Sequence, residues 1–105
     1  MYLVTGKISR PNLSCSFYTI ADTIVPESVR THWQTAFKDT GKCLFVEITL
    51  SPDKLELQTS QYWADEASYA DYKNDTLLIE ELFNVRNIYW AANGMTGVIL
   101  SENTV

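Results

Sequence analysis

Leu44, Val46, Ile48 and Leu50 alternate with Cys43, Phe45, Glu47 and Thr49, so Lys42 to Leu50 reads as a strand with one face apolar and the other mixed. Ser51-Pro52-Asp53-Lys54 is a turn signal, and Leu55 to Tyr62 returns as the partner strand of a hairpin. Upstream, Tyr2 to Ser9 reads as a strand, Arg10-Pro11-Asn12 as a turn and Ser14 to Ile20 as a second extended piece. Between Pro26 and Asp39 the period changes: Val29, Trp33, Ala36 and Phe37 make one apolar stripe along a helix, and Gly41 is placed to end it.

Downstream of the hairpin, Asp65 is a candidate N-cap for a short helix reaching Lys73 or Asn74, with Glu66 in its first turn. Trp63, Ala67 and Ala70 share its expected packing side, the small residues letting it lie close to a sheet. Asn74-Asp75-Thr76 breaks the run and caps a further helical segment, Leu77 to Asn84, with Leu78, Leu82 and Val85 facing inward. Asn87 to Ala92 reads as a strand, Asn93-Gly94 as a type I′ turn and Met95 to Leu100 as its partner, with the last residues frayed.

This order predicts an α+β fold: a ferredoxin-like βαββαβ antiparallel sheet with its helices on one face and an extra terminal hairpin. Helices cover one side of such a sheet, so Phe45 on the other side needs a different cover, with Tyr62, Leu3 and Tyr89 as its expected neighbours. A second copy of the sheet, a ligand or the terminal hairpins could supply it, and a face-to-face homodimer would bury it directly.

With 105 residues, 46% of them hydrophobic, the chain has apolar material for one domain with a real core. It contains no apolar run of the roughly 20 residues that span a bilayer, and its start lacks a signal-peptide pattern, so a soluble, cytoplasmic protein with no membrane partner is expected. A net charge of -5 repels nucleic acid, and the basic-glycine-aromatic signature of RNA-recognition sheets is absent. Cys15 and Cys43 lie far apart without a CxxC, which reads as two ordinary thiols.

The passage Tyr62-Trp63-Ala64-Asp65-Glu66-Ala67-Ser68-Tyr69-Ala70-Asp71-Tyr72 follows the hairpin with an aromatic step, an acidic pair and an aromatic-rich helix. It resembles the dimeric α+β barrel superfamily, in particular antibiotic-biosynthesis-monooxygenase-like domains. The resemblance implies a protomer that dimerises through its sheet and holds a cavity between sheet and helices for an aromatic or otherwise apolar small molecule. Haem-degrading members need a histidine after the tryptophan, whereas the only histidine, His32, precedes it. No cofactor is therefore expected.

His32 is the first choice for a catalytic proton-transfer group, because it alone titrates near neutrality without perturbation. Trp33, Trp63, Tyr62, Phe45 and Tyr69 are the candidate ligand-binding residues, able to wall a flat ligand or to serve as packing anchors. The carboxylates Asp65, Glu66, Asp71, Glu80 and Glu81 form no metal-binding pattern, so no metal is expected. Two functions follow: a cofactor-independent, monooxygenase-like enzyme, or a non-catalytic homodimeric binding or interaction module. A convergent polar group in a pocket favours the first; an exposed Phe45 beside a filled core favours the second.

Overall fold

The computed structural model describes residues 1–18 and 23–105. Its four strands are β1 (Tyr2–Ser9), β2 (Cys43–Leu50), β3 (Glu56–Trp63) and β4 (Thr96–Thr104). They form one sheet in the order β2-β3-β1-β4, each neighbouring pair antiparallel. This is the ferredoxin-like arrangement expected from the element order.

Helix α1 (Glu27–Trp33) runs on as a π-helical turn over Gln34–Lys38. The predicted stripe faces the core, with Val29 and Phe37 buried and Trp33 and Ala36 packed against them. Gly41, at φ 76°, turns the chain back toward β2 in a conformation costly for any other residue. Helix α2 (Glu66–Lys73) starts at Asp65, whose carboxylate accepts from Ser68 N–H at 2.7 Å. A hydrogen bond from the Ser68 side chain, followed by that backbone one, holds the Asp65 carboxyl below its ordinary range.

The packing side of α2 differs from the expectation. Ser68 and Tyr69 are buried and Ala70 is half-buried while Ala67 is exposed, so the helix meets the sheet through Ser68, Ala70 and the Tyr69 ring rather than through Ala67. Tyr69 packs 5.6 Å from the Trp63 ring and 5.8 Å from Tyr2, centroid to centroid.

Helix α3 (Thr76–Leu78) begins at Asp75, which accepts from Leu78 N–H at 3.0 Å, and passes through a π-helical turn over Ile79–Phe83 into α4 (Asn84–Asn93). Asn87 to Ala92 is therefore helix, and the terminal hairpin expected there is replaced by α4 followed by β4. Gly94 has φ 65° and closes α4 as a left-handed cap, with Met95 N–H donating to the Trp90 carbonyl at 2.9 Å. Asn-Gly suits both structures because each requires positive φ, and the local signal does not choose between them. The C-terminus does not fray: Thr104 aligns with Tyr2, and Val105 N–H donates to the Met1 carbonyl at 2.9 Å.

The extended piece expected over Ser14 to Ile20 is turns and bends as far as Tyr18; Thr19 and Ile20 lie outside the described residues. The register also corrects β2. A bulge between Cys43 and Phe45 aligns Cys43 with Trp63 and Phe45 with Tyr62. Cys43 consequently turns into the core while Phe45 stays on the open face, and the two do not share a side. Cys15 and Cys43 are both buried free thiols. Among the described residues, no helix is long and apolar enough to cross a membrane.

Candidate functional site

Between the sheet and α4 lies a hollow of about 240 Å³, and two glycines shape its floor. Gly6 on β1 and Gly97 on β4 both line it, and neither projects a side chain from the sheet. A Cβ on Gly97 would stand 2.4 Å from Cζ3 of Trp90, so the indole can lie against β4 only because Gly97 is bare. Val4, Lys7, Ile8, Thr59, Gln61, Val98 and Ile99 complete the sheet side; Arg86 and Trp90, one turn apart on α4, form the roof.

The π-helical turn before α4 sets which residues form that roof. Bonding from i to i+5 takes in one extra residue, so the face presented downstream advances by about one residue, roughly 100°. Leu78 before the turn is fully buried, and Arg86 and Trp90 beyond it reach over the sheet.

Arg86 is half-buried, and its guanidinium lies 4.6 Å from the Trp90 ring centroid and 5.2 Å from that of Phe83. Its Nη2 reaches Asn87 Oδ1 at 3.5 Å, while its buried Nε–H has no hydrogen-bond partner. Burial lowers its pKa from the ordinary arginine value, although arginine remains a cation throughout the working pH range. Tyr69 and Tyr72 lie close by. Burial pushes Tyr69 up to about 12 and also raises Tyr72, against the pull of the Arg86 charge and a hydrogen bond from Gln61. Gln61 Oε1 in turn accepts from the Trp63 indole at 3.3 Å, which fixes the carboxamide under the roof.

The residues singled out from the sequence fall elsewhere. His32 Nε2 pairs with Asp75 Oδ2 at 2.8 Å, tying α1 to the start of α3. Trp33 walls a second hollow, of about 340 Å³, with Val25, Val29, Arg30, Gln34 and Leu82. Trp63 is 1% exposed at the centre of the core, and Tyr69 is buried beside it. Phe45 and Tyr62 stack at 4.1 Å on the open face, with Leu3 aligned next to Tyr62. Tyr89, expected near them, is on α4 and donates to the Ser16 carbonyl at 3.4 Å. The hollow under α4 instead gathers Arg86, Trp90 and Gln61. A helical reading of Asn84–Asn93 would have exposed the Arg86/Trp90 pair as one face.

No protein-family model and no curated protein matches this sequence. Among solved structures, the chain is similar to a "putative antibiotic biosynthesis monooxygenase" from Deinococcus radiodurans, with a TM-score of 0.59 and 11% sequence identity. The match covers 100% of this chain and 92% of that one. At that identity the likeness concerns the fold alone: a ferredoxin-like α+β chain, the fold that the Tyr62 to Tyr72 passage suggested.

Proposed function

We propose that this protein binds a small aromatic or otherwise flat apolar molecule in the hollow under α4, as a homodimer joined through the open face of its sheet. The observation that carries the reading is the hollow of about 240 Å³ between Gly6, Gly97 and the Arg86/Trp90 face of α4, with the bare Gly97 letting the indole lie against β4 as its wall. A cavity of about 150 Å³ holds benzene, so about 240 Å³ suits a molecule of one or two fused rings. Oxygenation of that molecule is the reaction suggested by the description of the Deinococcus radiodurans neighbour, on likeness of fold alone.

Dimerisation is supported by Phe45, which remains 44% exposed and stacks on Tyr62 beside Leu3. That exposed face also serves the alternative of a non-catalytic interaction module. The presence of a hollow with a convergent polar group favours the ligand-binding reading.

Titrating tryptophan fluorescence with indole, 2-naphthol and 2-naphthoate tests the pocket. A saturable change that Trp90→Ala abolishes is expected; no change across the panel would refute it. Light scattering tests the dimer: the wild type should show twice the chain mass and Phe45→Glu the monomer mass. A wild-type monomer at micromolar concentration would exclude the sheet-to-sheet pair.

A further inference from the structure

The hollow under α4 contains a cation that the described residues leave without an anion. Lys7 pairs with Glu56, Lys42 with Asp71, Lys73 with Glu102, and His32 meets Asp75, but no ion pair of a described residue involves Arg86. This occurs in a chain of net charge -5, where carboxylates outnumber cations. A half-buried guanidinium loses hydration, and without an opposite charge only the two aromatic faces and the long hydrogen bond to Asn87 offset that loss among the described residues. Those rings engage the guanidinium by cation–π contact, which leaves the N–H edge as its hydrogen-bonding part. Nε–H is unpartnered but closed off from solvent, so an anion entering the hollow meets the Nη edge, whose two N–H groups form a fork that matches the two oxygens of a carboxylate.

We propose that the ligand of this hollow is a flat organic anion, an aromatic carboxylate whose oxygens sit on the Arg86 fork while its ring lies beside Trp90 over Gly6. The inference rests on the ligand-binding reading above and adds the charge of the ligand. Arg86 thereby selects the anion, and the apolar floor selects the ring. Gln61, held by Trp63, supplies a neutral polar contact in the same lining.

The test compares 2-naphthoate with 2-naphthamide, which share a ring system and differ in charge, by isothermal titration calorimetry on the full chain. Wild type should bind the carboxylate at least about tenfold more tightly than the amide. Arg86→Gln should abolish that preference while still binding the amide, and Arg86→Lys, which keeps the charge but loses the fork, should retain part of it. Equal affinity of the wild type for both compounds would overturn the anion inference and leave the pocket standing. Binding of neither compound would overturn both readings. The wild-type comparison holds even if a variant fails to fold.

Discussion

Replacing Gly97 by alanine tests whether the bare strand position beneath Trp90 shapes the hollow. The added Cβ would lie 2.4 Å from Cζ3 and 2.5 Å from Cη2 of the indole. Ordinary carbon-carbon contact is about 3.5 Å, so the ring must retreat by about 1 Å or the strand must shift. Overpacking of this kind costs about 1–3 kcal/mol, offset by about 0.5–1 kcal/mol from removing glycine's backbone freedom in a strand. The net expectation is a loss of up to about 2.5 kcal/mol with a midpoint of about 1 kcal/mol, which at about 4–8 °C per kcal/mol for a domain near this size lowers Tm by several degrees. In a Trp90→Ala background the clash disappears, and Gly97→Ala should be neutral or stabilise by up to about 1 kcal/mol. Urea unfolding of the four proteins in this cycle, followed by circular dichroism, gives the coupling directly. If Gly97→Ala costs the same in both backgrounds to within about 0.3–0.5 kcal/mol, Trp90 does not rest on Gly97 and the account of the floor is wrong.

Leu78→Ala removes a side chain with no exposed surface and should cost about 2–5 kcal/mol by chemical denaturation; a loss below about 1 kcal/mol would show that the site collapses around the change. For Asp75, burial favours the protonated form but is outweighed by hydrogen bonds from His32 and Leu78 N–H, so its folded pKa is lowered. Its contribution is therefore present at neutral pH and is lost as pH falls from about 3.9 through the lower folded value. Asp75→Ala should unfold about 1 kcal/mol more easily at pH 7, and a gap that persists undiminished at pH 2 would refute the assignment. Tyr69, pushed up to about 12 by burial, should keep its proton while free tyrosine ionises near 10, so stability falls as pH rises between those values. Absorbance at 295 nm during alkaline titration of wild type and Tyr69→Phe checks this; an extra tyrosine titrating near pH 10 in wild type would contradict it.

Periodicity carried the parts of the fold in which local pattern and burial agree. The Val29, Trp33, Phe37 stripe faces the core, Asp65 and Asp75 cap helices, and the Ser51 to Lys54 turn joins two antiparallel strands. It misplaced Asn87 to Ala92, where Ile88, Tyr89 and Trp90 have strand-like composition and Asn93-Gly94 suits a hairpin as well as a helix cap. That one segment hid the hollow, because only a helix sets Arg86 and Trp90 one turn apart, about 6 Å between their Cβ atoms. The aromatic passage after the hairpin was legible as a fold marker, yet Trp63 and Tyr69 form the core instead of lining the hollow under α4.

By itself, the sequence determined the βαββαβ order and the antiparallel sheet, since hydrophobic period and capping residues act over a few neighbouring positions. Only the tertiary structure decided that Gly6 and Gly97 lie in one floor, that a bulge separates Cys43 from Phe45, and that Arg86 stands over the sheet without a carboxylate. Those features depend on strand register and helix phase, which are set by contacts between residues tens of positions apart, and no local propensity encodes them.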